Sequence, residues 1–218
     1  MRRTWYALAL LMSGLGMAVG AVGQERIAEP EMIKAIEKSD VAQVTLLIEK
    51  GANVNYQDDS GTTPLIAASA MGRLEIVKLL LGKGAKPDLA DKTGYTALHF
   101  AAMTDNLECA RLLLEKGANA ELAAQDGLTA LMMGVVSGSA EMVKLLVETG
   151  AKVDARDGKG FTALMAASGG GFKEVVRVLL EHGADVNARS NDGTTALGLA
   201  TSNSHPEVAE ILRAKGAR

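Results

Sequence analysis

The sequence predicts an all-α solenoid of about six helix pairs joined by short β-hairpin loops, and three observations carry that prediction. A Gly-Ala pair recurs at Gly51, Gly84, Gly117, Gly150, Gly183 and Gly216, each 33 residues after the last. A second glycine series, Gly61, Gly94, Gly127, Gly160 and Gly193, keeps the same interval. Each glycine of that second series is followed by Thr-Pro-Leu or Thr-Ala-Leu, from Thr63-Pro64-Leu65 to Thr195-Ala196-Leu197. A fixed period of this length marks a supersecondary unit that cannot bury its apolar face alone but does so when stacked on copies of itself.

The N-terminal stretch stands outside the period. Arg2 and Arg3 precede an uncharged run to Gln24, with an apolar centre at Trp5 to Met12 and small residues at Ala21 and Gly23. These are the three parts of a secretory signal, with cleavage favoured before Gln24. Residues 1–23 are therefore expected to be a signal peptide and 24–30 a short linker, which places the mature chain in the periplasm or outside the cell. An uncleaved membrane anchor through residues 4–23 is the alternative, because about 20 apolar residues span a bilayer. Gly14, Gly16, Gly20 and Gly23 weaken the second half of that span as a helix.

From Pro30 onward each element has a local reason. Pro30-Glu31-Met32-Ile33-Lys34 opens a first helix, with Lys34, Glu37 and Lys38 turned to solvent as suits a terminal unit. In the later units the threonine after the hairpin glycine serves as N-cap of a short first helix, and Pro64 fits the first helical position. A second, amphipathic helix follows, as in Glu75-Ile76-Val77-Lys78-Leu79-Leu80-Leu81 and its counterparts at 141–147 and 174–180. Asp40, Asn106 and Ser139 are its candidate caps, and the recurrent Gly-Ala supplies the left-handed residue that ends it. Asp-x-x-Gly at 58–61, 91–94 and 157–160 suits a type I turn. The last apolar position of the second helix runs Leu81, Leu114, Val147, Leu180 and then Arg213, so the final unit ends the stack with a charge. The units fall at about 31–57, 58–90, 91–123, 124–156, 157–189 and 190–218.

These residues resemble the ankyrin repeat family, in the run Asp-x-x-Gly-x-Thr-Pro-Leu-His, then Gly-x-x-Glu-Ile-Val-Lys-Leu-Leu-Leu, then Gly-Ala-x-Val-Asn. The resemblance covers residues 31 to 218. It implies antiparallel helix pairs stacked side by side with projecting hairpins, and partners bound along a concave surface of hairpin tips and first helices. Ala124 and Ser190 depart from the turn aspartate, Asp105 and Ser204 from the inter-helix glycine, and only His99 keeps the family's histidine. The units that carry these departures are expected to be less stable.

Charge and side-chain chemistry narrow the function classes. A formal net charge of -3 and a pI near 5.7 lack the basic excess that nucleic acid or anionic lipid binding needs. Cys109, the one cysteine, aligns with Ile76, Met142, Val175 and Val208, which makes it a core residue; a redox-active Cys109 is the alternative. His99, His182 and His205 each have a repeat-level place, and no second histidine falls at ligand spacing on one helix face. Met132, Met133, Met142 and Met165 read as core filling. Gly169-Gly170-Gly171 lacks the Lys-Ser or Lys-Thr of a phosphate loop, and Arg156 and Lys159 stand where a calcium loop needs oxygen ligands. No catalytic residue, cofactor or metal is expected.

Specificity is expected where the repeat lets residues vary, around the hairpin glycine: Asp59, Thr62, Lys92, Tyr95, Gln125, Leu128, Lys159, Phe161, Asn191 and Thr194. Tyr95, Leu128 and Phe161 hold one equivalent position in three successive units, with Met71 and Met103 near the ends of the first helices beside them. Apolar anchors in a polar rim are the energetic centre of many interfaces; the alternative is that these residues only pack one hairpin on the next. The expected function is a non-enzymatic protein-binding module acting as scaffold, accessory or inhibitor, as a monomer. A membrane-tethered structural adaptor and a redox protein using Cys109 are the rival classes.

Overall fold

The computed structural model describes residues 28–218. Among these residues lie twelve α-helices in six pairs: α1 (Ala28–Glu37) and α2 (Val41–Glu49), α3 (Pro64–Ala70) and α4 (Leu74–Gly82), α5 (Ala97–Met103) and α6 (Leu107–Glu115), α7 (Ala130–Ser137) and α8 (Ala140–Glu148), α9 (Ala163–Gly170) and α10 (Lys173–Glu181), α11 (Ala196–Ser202) and α12 (Pro206–Ala214). The expected signal peptide and its cleavage site lie outside the described residues. Helix α1 begins at Ala28, so residues 28–30 of the expected linker are already helical. Pro30 sits in the first turn rather than at the start, where its missing N–H removes no helical bond.

The threonine caps form as the sequence predicts. Thr63, Thr129, Thr162 and Thr195 each accept from the backbone N–H three residues on, a contact worth about 1 kcal/mol. In the second helices Asp40 and Ser139 cap as expected, accepting from the N–H groups of Gln43 and Met142. Asn106 does not cap α6. Its side-chain amide instead donates to the carbonyls of Ser69 and Ala70 at the end of α3, at 2.9 and 3.1 Å. There it satisfies the Ala70 carbonyl, which the helix leaves open at its C-terminus, and adds a bond to the Ser69 carbonyl, which also accepts from the Gly72 N–H.

One continuous apolar core runs the length of the stack, from Met32 and Ile36 through Leu65, Leu98, Leu131 and Leu164 to Val208 and Leu212. First helices pack on one another more closely than second helices do, helped by their alanines, glycines and serines. At each end of the stack some positions that meet a neighbour elsewhere are polar, although Val41 and Leu46 of the first pair stand 39% and 41% exposed. In the first pair Glu31 is exposed and Gln43 half-buried, where later pairs bury Ala97 or Ala163 and Ile76 or Val175. In the last pair Gly198, Thr201 and Arg213 are exposed, aligned with Met165, Ser168 and Leu180.

Five hairpins connect the pairs, and they form a ladder. Backbone N–H groups of Lys92, Gln125, Gly158 and Asn191 donate to the carbonyls of Ser60, Thr93, Asp126 and Lys159 in the preceding hairpin, at 2.9 to 3.0 Å. Within the turns, Asp58, Asp91 and Asp157 each accept from two backbone N–H groups with one carboxylate oxygen. Where Ala124 and Ser190 stand instead, Asp126 and Asp192 accept from the N–H of Leu128 and Thr194. The turn closes by the same backbone bond in all five hairpins. Hydrogen bonds from Ser190 and Thr194 hold the Asp192 carboxyl at about 2, below the usual range.

Candidate protein-binding surface

The hairpin ladder and the open side of the first helices meet in one face. Tyr95 marks the junction: its ring lies 6.0 Å from the Phe100 ring on α5. It also meets His99 edge-on at 5.4 Å, and its hydroxyl donates to Asp126 of the next hairpin at 2.7 Å. Tyr95 thus binds two hairpins together while its half-buried ring stays in reach of solvent. Leu128 and Phe161, one and two units on, are likewise half-buried and packed on the core.

Of the polar residues expected on this face, Asp59, Lys92, Gln125, Lys159 and Asn191 are exposed at the hairpin tips. Gln125 and Asn191 lie back on the preceding hairpin, donating to the carbonyls of Lys92 and Gly158. Thr194 is half-buried. Thr62 offers no contact surface: it is 5% exposed, with its hydroxyl 2.8 Å from that of Ser60 beneath the turn. Met71 and Met103 are half-buried beside the strip but do not share a register, since Met103 aligns with Ala70 and Val136 while Met71 aligns with Thr104.

The most exposed large apolar side chain among the described residues lies outside the positions the repeat marks as variable. Val136 is 63% exposed on α7, against 39% and 41% for Val41 and Leu46 in the first pair. Within Ala-Leu-Met-Met-Gly-Val-Val-Ser it reads as core; its alignment with the half-buried Met103 was the available signal.

His99 belongs to the frame. It is buried, with Nδ1 accepting from the Thr96 N–H and Nε2 3.2 Å from the Leu128 carbonyl. Those partners require the neutral ring with its proton on Nε2, and burial lowers its pKa below 6.5. Cys109 is buried, and burial raises its thiol pKa, which opposes thiolate chemistry. Met132, Met133, Met142 and Met165 fill the core. Among the described residues no cluster of three or more His, Cys, Asp or Glu is placed to hold a metal, and no helix is long and apolar enough to cross a membrane.

Models for tandem ankyrin repeats match residues 32–81, 83–157 and 153–218. A stretch of 65 residues, 28% of this chain, is 42% identical to the 2-5A-dependent ribonuclease of Mus musculus, and the match spans 9% of that protein. Among solved structures, a chain from the complex of a predatory endopeptidase of Bdellovibrio bacteriovorus with an immunity protein superposes with a TM-score of 0.76 at 31% identity. That alignment covers 84% of this chain and 97% of the other.

Proposed function

This chain belongs to the ankyrin repeat family, and we propose from that premise that it is an exported, non-enzymatic module that binds one protein partner as a monomer. The observation that carries the reading is the joining of the hydrogen-bonded hairpin ladder to an open apolar face on the first helices. A ladder in which every hairpin is tied to the last presents Tyr95, Leu128 and Phe161 with little ordering left to lose on binding. Polar residues at the last pair, Arg213 among them, disfavour end-to-end assembly and support a monomer. Among scaffold, accessory and inhibitor roles, the similarity to a chain from an endopeptidase–immunity protein complex favours the inhibitor.

Replacing Tyr95 and Phe161 together with alanine tests the surface. Affinity for a captured partner, measured by titration calorimetry, should fall by at least about tenfold, the loss of one anchor. Wild-type affinity in that double variant would move the site elsewhere. Export has its own measurement: the intact mass of the protein from its native compartment should begin at Gln24, whereas an uncut N-terminus would make the protein membrane-tethered.

A further inference from the structure

The five first helices α3, α5, α7, α9 and α11 contain no Asp, Glu, Lys or Arg among their 37 residues. The five second helices beside them carry 15 among 45. Burial explains most of that contrast but not all of it. Three positions per unit look out from the first-helix side: Phe100, Met103 and Thr104 in the third unit, Met133, Val136 and Ser137 in the fourth, Ala166, Gly169 and Gly170 in the fifth. With the second and sixth units they make fifteen positions, of which only Ala67 and Met133 are buried. At the chain's 22% charged content about three of the fifteen would be charged; none is.

The first unit supplies the control. Its three equivalent positions are Lys34, Glu37 and Lys38, two exposed and one half-buried. The fold therefore accepts charge at this register in a terminal pair. Packing excludes it at the buried Ala67 and Met133 and at Gly170, where a Cβ would sit 2.5 Å from the Phe172 ring, but the exposed Thr104, Val136, Ala166, Ser202 and Asn203 have room for charge and carry none. A charged side chain pressed against a dry partner surface without a mate costs several kcal/mol, so a floor kept free of charge suits a partner strip equally free of it. Val136, 63% exposed at its middle, points the same way.

We infer that the first-helix floor receives an uncharged, apolar strip of a partner polypeptide, spanning several units, with charged residues confined to the flanks that meet the hairpin tips. This rests on the protein-binding reading and assigns the partner's chemistry. Units spaced about 10 Å apart mean that a strip crossing four of them needs about twelve residues in extended form.

The test is selection of a random peptide library of about that length on the purified protein. Enriched peptides should have an apolar core without Asp, Glu, Lys or Arg. Their affinity should change less than about twofold between roughly 50 and roughly 500 mM salt. Val136→Asp, at an exposed position where the fold should be unaffected, should weaken them at least about tenfold, and Ala166→Asp should do likewise; the melting temperature of each variant checks that it is folded. Peptides with a charged core, a steep loss of affinity with salt, no enrichment at all, or full binding to both folded aspartate variants would overturn the inference. If those variants bind normally while the Tyr95 and Phe161 double variant does not, the uncharged floor fails and the protein-binding reading stands.

Discussion

Three of the bends between paired helices carry glycine and three do not, although all six take the same left-handed backbone. Gly72, Gly138 and Gly171 have φ of 66, 74 and 72°, and Ser39, Asp105 and Ser204 have 58, 59 and 62°. The difference lies in the following unit. A Cβ on Gly72 would sit 2.5 Å from Asn106 Oδ1, one on Gly171 2.6 Å from His205 Nδ1, and one on Gly138 3.1 Å from the Phe172 ring. The residue 34 positions on from Asp105, the one each of these glycines meets, is Ser139, which is short, and among the described residues no pair packs on Ser204. The residue 34 positions on from Ser39 is Arg73, whose guanidinium donates to the Glu37 carbonyl. A residue with a side chain is admitted at the bend where the neighbour leaves room. The departures at Asp105 and Ser204 thus follow the stacking, and only their backbone strain remains as a cost.

The comparison breaks most sharply at Gly171. Gly171→Ala combines left-handed strain with a side-chain clash and should lower stability by about 2 to 3 kcal/mol in urea denaturation. Adding His205→Ser should recover the clash portion, leaving about 1 kcal/mol; no recovery would mean that φ alone selects glycine there.

A second test contrasts junctions by charge. His99 stands where Ile66, Met132, Met165 and Gly198 stand in other units. Its folded pKa is lowered below 6.5, so the unfolded chain binds the proton more readily. The stability that the neutral ring contributes is complete above about 6.5 and is lost as pH falls below that value toward the folded pKa. His99→Met should flatten the stability profile over that window, read as the denaturation midpoint against pH. An unchanged slope would place the acid sensitivity elsewhere.

The smallest expected effect is a gain. Asp105→Gly and Ser204→Gly relieve left-handed strain where nothing crowds the bend, and each should raise stability by about 0.5 to 1 kcal/mol in thermal unfolding. A loss in either would show that the side chain holds the bend by contacts of its own.

Much of the architecture was legible because its causes are local. Thr63 and Thr195 cap helices three residues away, and the turn aspartates close hairpins two to four residues away, so the motif and its result lie in one stretch of sequence. Asn106 is of a type that permits a local cap, but its partners on Ser69 and Ala70 lie a whole unit upstream, where the sequence around it gives no sign of them. Thr62 shares the register of Tyr95, Leu128 and Phe161, yet its small size lets it fold under the turn beside Ser60, which the register alone does not show. The candidate surface was legible as a register and illegible as a set of exposed atoms.

By itself the sequence determined the period, the six pairs and the threonine caps of the first helices, all of which rest on interactions within a few residues or on the exact repetition of a unit. Tertiary structure decided which helix face stays open, that Val136 stands out from it, that Tyr95 ties two hairpins, and which bends admit a side chain. Each of those depends on what one unit meets in the next, about 30 residues away, and contact at that range is set by stacking rather than by neighbours along the chain.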